Sequence, residues 1–331
     1  MTWEGRNVLI TGASGFVGSW LSKSLIEKGA NVVAMLKDNA SDMVLKYSGI
    51  YSKLKGIEKG DIVNFDWVKK IFVDYNIDTC FHLAAQAIVG IANQSPIPTL
   101  ETNIKGTWNI LEVTRIIESV KRLIVASSDK CYGEPIKLPI TEDHPLLASY
   151  PYDASKACAD ILSRTYSKTY GLSIGVTRCC NIYGGGDLNF SRIVPDTIRS
   201  VISNKNPVIR SDGTPVRDFI FIMDAVSGYL TLAENLERNE IKGEGFNFGS
   251  NSPITILDFV NKIIKISGKK LNPEIIGKNK PKCEIDAQYL SSEKAGKLLN
   301  WKSEVKLDEG LKETIQWYSN FFISPYGKEF F

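Results

Sequence analysis

The chain has 331 residues, of which 43% are hydrophobic and 23% are charged, and its formal net charge is +3. This length suffices for one large or two medium domains with a sizeable core. The small net charge argues against a dedicated nucleic-acid or membrane-surface binder, because such proteins carry a clustered basic excess. No apolar run approaches the roughly 20 residues that a membrane span needs.

The cysteines and histidines further narrow the class of protein. The first residues lead directly into a strand pattern without the features of a signal peptide, so we expect a cytoplasmic protein. The six cysteines form no CxxC pair, and in that compartment we expect reduced thiols. The two histidines, His82 and His144, are too few for a histidine-rich metal site or a Ser-His-Asp triad. We therefore predict no metal site and structural roles for both histidines.

The N-terminal segment has the pattern of a strand, a glycine-rich turn, a helix and a second strand. The strands are predicted at residues 7–10 and 31–36, and TGASGFVG lies in the turn. Glycines permit a tight turn and let the backbone approach a pyrophosphate, which the N-terminus of the helix also favours. The predicted dinucleotide contacts in this turn are Gly12, Ser14, Gly15, Phe16, Val17 and Gly18.

Strand and helix patterns continue to alternate through the next hundred residues. The predicted elements are the end of a third strand at Gly60-Asp61-Ile62, a helix at 66–75, a fourth strand at 79–83, a long helix at about 99–119, a strand at 123–126, a helix carrying Tyr152 and Lys156, and a strand at 173–177. This alternation predicts an α/β fold of the Rossmann type, in which a doubly wound parallel sheet has helices on both faces.

Beyond residue 180 the regular alternation loosens, and loops rich in Gly, Pro and Asp separate helices predicted at 194–203, 223–235 and 256–267. We therefore assign residues 1–180 to a dinucleotide-binding domain. Residues 181–331 are assigned mainly to a smaller, mixed α/β substrate-binding lobe, with some segments crossing back. The aromatic tail, from Phe321-Phe322 to Phe330-Phe331, is too short for a membrane anchor. We expect it to pack against the body of the protein or a partner subunit.

Two polar segments are expected to meet at the carboxyl edge of the sheet. Ser128, Asp129 and Lys130 follow a predicted buried strand, so their side chains emerge at its carboxyl end. Tyr152 and Lys156 lie four residues apart, on one face of a helix. Ligands of open α/β sheets bind outside the carboxyl ends of the strands. These five side chains are therefore predicted to surround one substrate.

The chain resembles the extended short-chain dehydrogenases/reductases in TGASGFVG, in the Tyr-x-x-x-Lys pair, in Asn103 within TNIKGTWN, and in the triplet Arg217-Asp218-Phe219. Within that superfamily, SSDKCYG, SKACAD and NIYGGGD followed by RIVPDTIR resemble the nucleotide-sugar 4,6-dehydratases. The Asp-Lys pair is most similar to that of the CDP-glucose 4,6-dehydratases, and UDP-N-acetylglucosamine 4,6-dehydratases are a second candidate group. The resemblance implies an NAD-dependent hydro-lyase that acts on a nucleotide sugar. It also implies a homodimer paired through the two long helices.

The resemblance implies a redox step at carbon 4 of the sugar. A phenol has a pKa of about 10 and is a poor base at neutral pH. The ammonium of Lys156 and the positive nicotinamide ring are expected to favour the phenolate of Tyr152. Tyr152 would then take the proton of the hydroxyl at carbon 4 while hydride leaves that carbon. Ser128 would bond the same oxygen, and Lys156 would also hold the nicotinamide ribose.

Oxidation at carbon 4 makes the proton on carbon 5 acidic and prepares the loss of water. The resemblance assigns the acid for the departing hydroxyl to Asp129 and the base region to Lys130. Asp129 must be protonated to donate, and Lys130 must be neutral to accept. Many relatives carry glutamate at the position of Lys130, so the identity of the group that removes the carbon-5 proton stays open. Return of hydride to carbon 6 would give a 4-keto-6-deoxy sugar.

The choice between NAD and NADP depends on the end of the second strand. NAD-binding relatives place an acidic residue there, to bind the ribose hydroxyls. That position is Leu36 in this chain, and Lys37 and Asp38 follow. Asp38 would support NAD, whereas Lys37 would favour the 2′-phosphate of NADP. We expect NAD, because a self-regenerating dehydratase most often retains it. The further predicted cofactor contacts are Asp61, Ile62, Leu83, Ala84, Ala85, Asn103, Tyr152 and Lys156.

The substrate is expected to be held by its diphosphate and base. Arginine suits phosphate because its planar donors match the oxygens in pairs. The predicted substrate contacts are Gln86, Ser128, Asn181, Arg192 and Arg217.

Two other functions fit parts of the same pattern. A 4-epimerase would need Ser128, Tyr152 and Lys156 but would make no use of Asp129 and Lys130. A non-catalytic dinucleotide-binding sensor is the third reading, and the intact Ser/Tyr/Lys set argues against it.

Overall fold

The helices and strands follow the alternation that the sequence predicts. The structure is a computed structural model that describes residues 2–277 and 285–330. Its helices are α1 Phe16–Glu27, α2 Met43–Tyr47, α3 Phe65–Asp74, α4 Val89–Gln94, α5 Pro96–Leu100, α6 Gly106–Ile116, α7 Pro151–Tyr170, α8 Ile193–Ile202, α9 Ile222–Asn235, α10 Ile256–Ser267, α11 Glu293–Leu299 and α12 Leu307–Ile323. Its strands are β1 Asn7–Thr11, β2 Asn31–Leu36, β3 Gly56–Lys59, β4 Thr79–His82, β5 Arg122–Ala126, β6 Ile174–Cys179, β7 Asn181–Tyr183, β8 Val208–Ile209, β9 Val216–Arg217, β10 Phe219–Phe221, β11 Gly245–Phe248, β12 Ile254–Thr255, β13 Glu274–Ile275 and β14 Ala287–Gln288.

The third strand and the long helix depart most from their predicted bounds. The third strand ends at Lys59, so Gly60-Asp61-Ile62 follow the strand and do not belong to it. The chain turns at Gly60 against the Trp67 ring, where a Cβ would come within 2.6 Å of the ring. The long helix begins earlier than predicted, at the start of α5, and ends with α6. A π-helical turn, Glu101–Lys105, joins α5 to α6.

The main sheet has seven strands in the order β11-β6-β5-β4-β1-β2-β3. Each pair of neighbouring strands is parallel. The strand order reverses between β1 and β4, and ligands of such sheets bind at this point, outside the carboxyl ends. The predicted Rossmann-type sheet is thus confirmed, and the glycine turn after β1 lies at the position where a ligand binds.

Both faces of the main sheet are covered by helices. Val8 and Ile10 of β1 pack in one apolar cluster with Leu21 of α1, whereas Leu9 packs in the other cluster with Phe72 of α3. Successive side chains of a strand point to opposite faces, so a strand buried on both faces has an uninterrupted apolar sequence. This explains why the strands of this sheet are continuous apolar runs.

Within the residues that the structure describes, the second half of the chain adds one strand to the main sheet and contains three further small sheets, which with their connecting segments are called the smaller lobe. The smaller lobe contains a three-stranded sheet, in the order β12-β9-β14, and two-stranded pairs of β10 with β7 and β13 with β8. β11 pairs with β6 and so belongs to the main sheet. A single bridge between Ile140 and Leu290 links the loop after β5 to the segment that follows β14.

The aromatic tail packs on the body of the protein, as one of the two predicted alternatives. Phe321 and Phe322 of α12 are buried. The ring of Phe330 lies 5.6 Å from that of Phe190, centroid to centroid. Phe331 lies outside the described residues. Among the helices that the structure describes, none is both long and apolar enough to cross a membrane.

Candidate active site

A cavity of about 600 Å³ lies at the carboxyl edge of the main sheet. Its floor is formed by the glycine turn after β1, by residues 83–85 after β4 and by residues 126–130 at the end of β5. Residues 179–182 and 192–195 form the wall on the side of the smaller lobe. The cavity therefore occupies the place where the strand order reverses.

The glycine turn leaves no room for side chains where it approaches its neighbours. Gly12 has a φ of +70°, and a Cβ there would lie 2.9 Å from the backbone nitrogen of Ala84. A Cβ on Gly18 would lie 2.3 Å from the carbonyl oxygen of Gly12. No side chain caps the N-terminus of α1 at Gly15. The backbone N–H groups of this helix end are therefore available to an anion in the cavity.

A buried histidine fixes the ends of β1 and β4. The Thr11 hydroxyl accepts hydrogen bonds from the backbone N–H groups of Leu83 and Ala84, at 3.1 and 3.0 Å. It therefore donates its own proton to Nδ1 of His82, 2.8 Å away, and Nε2–H of His82 donates to the Thr107 hydroxyl at 3.0 Å. Burial, with a smaller effect of the Lys156 charge, lowers the pKa of His82 to about 3. The ring is neutral and holds the cavity floor in place.

Asn103 holds the adjacent loop without lining the cavity. Its Oδ1 accepts from the backbone N–H of Gln86 at 2.8 Å, and its Nδ2 donates to the Gln86 carbonyl at 3.1 Å. The same Nδ2 donates to the Ser155 hydroxyl, at 2.8 Å, in helix α7. Asn103 lies in the π-helical turn, a distortion that is frequent at functional sites. It therefore ties the loop after β4 to the helix that carries Tyr152 and Lys156.

Ser128 and Asp129 are organised by a short 3₁₀ turn at Asp129–Tyr132 that follows β5. The Ser128 hydroxyl caps this turn by accepting from the backbone N–H of Lys130 at 3.2 Å, and it donates to Oδ1 of Asp129 at 3.1 Å. Asp129 is 3% exposed, and its Oδ2 has no hydrogen-bond partner among the described residues. A buried, unpartnered carboxyl oxygen is costly. It is therefore available to a substrate.

Lys130 is held by a residue from the smaller lobe. Its Nζ donates to Oε1 of Gln288, and Nε2 of Gln288 donates to the carbonyl oxygen of Asp129 at 3.0 Å. Gln288 is fully buried, in β14. No local pattern in the sequence pointed to Gln288, because 158 positions separate it from Lys130.

Tyr152 and Lys156 lie in the first two turns of α7 and both line the cavity. Burial raises the pKa of the Tyr152 phenol to about 12, while the Ser128 hydroxyl and the Arg192 charge act to lower it. Burial lowers the pKa of Lys156 to about 8. The Lys156 Nζ donates to the carbonyl of Ala126 at 2.7 Å. That the Lys156 ammonium and the nicotinamide ring together favour the Tyr152 phenolate stays a prediction.

Asp153, next to Tyr152, is a titratable residue that the sequence reasoning did not select. It is 4% exposed, and burial raises the pKa of its carboxyl to about 6. The charge of Lys130 opposes this rise and that of Asp129 adds to it. The Asp129–Tyr132 turn and the start of α7 therefore bring two carboxyl groups and an amine close together. The only signal in the sequence was the position of Asp153 beside the predicted base.

Most of the site residues predicted from the sequence line this cavity, and four do not. Those that line it are Gly12, Ser14, Gly15, Phe16, Val17, Gly18, Asp61, Ile62, Leu83, Ala84, Ala85, Ser128, Asp129, Lys130, Tyr152, Lys156, Asn181 and Arg192. Asp38, Gln86, Asn103 and Arg217 are not part of the lining. Lys37 lines it at the end of β2, next to Asp38.

The arginines selected as phosphate ligands have different surroundings. Nη1 of Arg192 donates to Oδ2 of Asp187 at 3.0 Å, and both residues line the cavity. Nη1 of Arg217 instead donates to the backbone carbonyl of Val216 at 2.9 Å. Tyr229, buried in α9, also lines the cavity. It was not predicted as a site residue, because it lies within an ordinary amphipathic helix.

A family model described as GDP-mannose 4,6 dehydratase matches residues 9–314. The chain belongs to this family. CDP-glucose 4,6-dehydratase of Salmonella typhimurium is 30% identical, over 96% of this chain and 91% of that protein. UDP-glucuronate 4-epimerase of Thermodesulfobacterium geofontis, 34% identical over 93% of this chain and 95% of its own, is similar at the same level.

A solved structure is similar to this GDP-mannose 4,6-dehydratase family member over almost its whole length. The dTDP-glucose 4,6-dehydratase of Bacillus anthracis, in complex with NAD, has a TM-score of 0.85 and 26% identity, covering 98% of this chain and 99% of its own. The relatives include dehydratases and epimerases. The predicted resemblance is confirmed, and the chain is a member of the family of sugar-nucleotide-modifying enzymes.

Proposed function

We propose that this protein is an NAD-dependent nucleotide-sugar 4,6-dehydratase. It would convert CDP-glucose or UDP-N-acetylglucosamine to the 4-keto-6-deoxy sugar nucleotide. The observation that carries the proposal is the placement of Asp129 and Lys130 in the same cavity as Ser128, Tyr152 and Lys156. An oxidation at carbon 4 needs only the last three residues, so the additional acid and amine point to elimination of water.

The residues of the cavity fit a dinucleotide. The turn at Gly12 and Gly18 offers a surface that a Cβ would obstruct, and the uncapped end of α1 offers N–H groups for a pyrophosphate. Lys37, and not Asp38, lines the end of β2, so NADP is the alternative to NAD. NAD is preferred because the similar dehydratase of Bacillus anthracis was solved with it. When bound in this cavity, NAD would supply the hydride acceptor for carbon 4, the hydride donor for carbon 6 and a positive charge beside Tyr152.

The first proton transfer is assigned to Tyr152. Its phenolate takes the proton from the oxygen on carbon 4, whose hydrogen bond to Ser128 keeps the oxygen in place. Because burial raises the pKa of this phenol to about 12, Tyr152 acts as a base only when positive charge is close to it. Lys156 fixes the end of β5 through the Ala126 carbonyl and keeps its positive charge inside the cavity wall.

Elimination of water is assigned to Asp129 and Lys130. The neutral amine of Lys130 takes the proton from carbon 5, and the electron pair of that C–H bond forms the carbon–carbon double bond. The bond from carbon 6 to its hydroxyl breaks, and protonated Asp129 gives its proton to the departing oxygen, forming water. The unpartnered Oδ2 of Asp129 suits this contact. Hydride addition at carbon 6 and proton return from Lys130 to carbon 5 complete the reaction.

The nucleotide half of the substrate is assigned to the wall from the smaller lobe. Asn181 and Arg192 line that wall, and the Arg192 side chain is 42% exposed, so it is accessible to a diphosphate. Arg217 does not line the cavity, which makes Arg192 the better-placed phosphate ligand. The cytoplasmic location stays a prediction.

The test of this function is the mass of the product. Incubation with CDP-glucose or UDP-N-acetylglucosamine is expected to yield a sugar nucleotide lighter by one water in mass spectrometry. Asp129→Asn keeps the shape but cannot donate an acid proton, so we expect a decrease of about 100-fold or more in dehydrated product. A product of unchanged mass from the wild-type protein would overturn the proposal.

The second candidate, a 4-epimerase, is favoured by the 34% identity to UDP-glucuronate 4-epimerase. It would give a product of unchanged mass with the hydroxyl on carbon 4 inverted. Asp129→Asn would then leave turnover nearly intact, because epimerisation breaks no bond at carbon 6. The same assay therefore separates the two functions.

We also propose that the protein is a homodimer paired through α6 and α7. Large hydrophobic side chains are exposed on α5, α6 and α7, among them Ile97 at 66%, Trp108 at 43% and Ile161 at 52%. Exposed apolar residues on neighbouring helices mark protein–protein interfaces. Ile161→Lys is expected to shift the mass measured by light scattering from dimer to monomer. A monomeric wild-type protein at micromolar concentration would contradict this.

A further inference from the structure

We propose that Gln288 is a positioning residue that keeps Lys130 oriented for proton transfer in both of its protonation states. The proposal rests on the dehydratase function, because it concerns the amine assigned to the carbon-5 proton. Two hydrogen bonds support the proposal. The buried amide of Gln288 accepts from the Nζ of Lys130 and donates to the carbonyl oxygen of Asp129.

The orientation of the Gln288 amide follows from its partners. A lysine side chain can donate to the amide oxygen in both protonation states, and a carbonyl oxygen can only accept. Oε1 must therefore face Lys130, and Nε2 must face the Asp129 carbonyl. Gln288 is fully buried, so these bonds are not exchanged for water. The amide consequently has one orientation.

A neutral acceptor suits a lysine that acts as a base. A neutral amine has two N–H bonds and one lone pair, so donating one N–H to Gln288 restricts where the lone pair points. After proton uptake the ammonium keeps the same hydrogen bond. A carboxylate at this position would instead form an ion pair and hold the proton on Lys130. The charged groups that face Lys130 are Asp129 on its own turn and Asp153 on α7.

The segment around Gln288 is itself fixed on two sides. Gln288 is paired in register with Arg217 of β9. Directly after Gln288, the Ile140 N–H donates to the carbonyl of Tyr289 at 3.0 Å, and the Ser291 N–H donates to the Ile140 carbonyl at 2.8 Å. The smaller lobe is thereby joined to the loop that follows the catalytic turn. Gln288 is thus held firmly enough to direct another side chain.

Gln288→Glu tests the charge of the acceptor, and Gln288→Met tests the hydrogen bond without adding charge. The probe is CDP-glucose in deuterium oxide, where deuterium in the product reports proton removal at carbon 5. In Gln288→Glu we expect the rate of deuterium incorporation to fall by about 10-fold at neutral pH. In a plot of that rate against pH, the rising limb should move upward by about one pH unit. Oxidation at carbon 4, read from the absorbance of the reduced nicotinamide, should change by less than about 3-fold.

Gln288→Met should also incorporate less deuterium, but the rising limb of its pH profile should not move upward. Gln316→Glu on α12, the same change at a glutamine that bonds Asn320, is the matched control and should alter neither step. Equal losses of oxidation and deuterium incorporation in both Gln288 variants, with no shift of the limb, would overturn the proposal. If Gln288→Glu does not fold, Gln288→Met alone tests the proposal. Its rate of deuterium incorporation should then fall more than its rate of oxidation at carbon 4, and equal losses would overturn the proposal.

A second measurement separates this proposal from the proposed function. Modification of Lys130 by an amine reagent, followed by mass spectrometry across a pH series, needs no turnover. We expect Gln288→Glu to slow the modification of Lys130 about 10-fold at neutral pH, because the ion pair holds the proton. An unchanged rate would contradict the role of Gln288. A wild-type protein that dehydrates no sugar nucleotide, but shows this slowing, would contradict only the assigned function.

Discussion

The guanidinium of Arg178 and the carboxylate of Asp160 form a bidentate ion pair in the interior of the protein, with both N–O distances at 2.8 Å. Both side chains are buried almost completely. A further nitrogen of Arg178 donates to the Tyr132 hydroxyl at 2.7 Å, and that hydroxyl donates to Oδ1 of Asn247 at 2.7 Å. The ion pair therefore connects α7 and β6 to the end of the turn that carries Asp129 and Lys130.

Asp160→Asn is expected to destabilise the protein strongly. It removes the negative charge and leaves the Arg178 guanidinium buried without compensation, which costs about 3–5 kcal/mol. Denaturant unfolding should show this as a lower midpoint. Glu293→Gln is the control, because Glu293 and Lys297 form an exposed ion pair, at 3.0 Å, on α11. That change should leave the midpoint nearly unchanged. Equal effects of the two changes would show that burial does not decide the strength of the Arg178–Asp160 pair.

Gly18→Ala is expected to abolish binding of a dinucleotide. The new Cβ would lie 2.3 Å from the Gly12 carbonyl oxygen and 2.9 Å from the Cα of Ala13, so the turn has to move away. We expect a decrease in NAD affinity of at least about 10-fold, measured by calorimetry, and a stability loss of about 1–3 kcal/mol. Gly90→Ala on α4 is the control, because its Cβ would meet nothing within 4 Å. NAD affinity that is equal in the two variants would contradict the assigned turn.

Tyr152→Phe is expected to lower turnover by about 100- to 10,000-fold, because it removes the proton acceptor. Bound NAD should be retained, since the ring keeps its place in the cavity wall. Burial raises the pKa of this phenol to about 12. The absorbance difference between wild type and variant, recorded without cofactor, should therefore show a phenolate only well above pH 10. Near-normal turnover of the variant would remove Tyr152 from the mechanism.

Asp153→Asn is expected to stabilise the protein at neutral pH. Burial raises the pKa of this carboxyl from 3.8 to about 6 in the folded state. The folded state therefore binds its proton more tightly than the unfolded state. This contribution to stability is complete below about pH 4 and is lost as pH rises through 6. At pH 7 the buried carboxylate lowers the free energy of unfolding by about 1–3 kcal/mol, and an asparagine, which carries no charge, does not.

Urea unfolding of wild type and Asp153→Asn at pH 4 and pH 7 tests this expectation. The difference in unfolding free energy between the two proteins should favour the variant at pH 7 and shrink toward pH 4. A difference that is independent of pH would show that Asp153 does not titrate in this range. Because the negative charge of Asp153 helps to hold the proton on Lys130, we also expect the variant to eliminate water at least as fast as wild type, with oxidation at carbon 4 unchanged.

The sequence alone determined the elements that local patterns encode. β2 and α10 have the bounds that were predicted, because a buried strand needs an uninterrupted apolar run and an amphipathic helix a regular apolar spacing. The spacing of Gly12, Gly15 and Gly18 likewise determined the turn after β1, since a Cβ on Gly12 or Gly18 would lie only 2.9 or 2.3 Å from the nearest backbone atom. These features depend on residues close together in the chain.

Only the tertiary structure decided which polar groups meet. Gln288 reaches Lys130 from the smaller lobe, and Lys37 rather than Asp38 lines the cavity. Burial is the largest cause of the raised pKa of Tyr152, and that burial depends on the surrounding elements. Contacts between distant segments, and the desolvation that they cause, arise from packing of the whole chain. No local pattern encodes them.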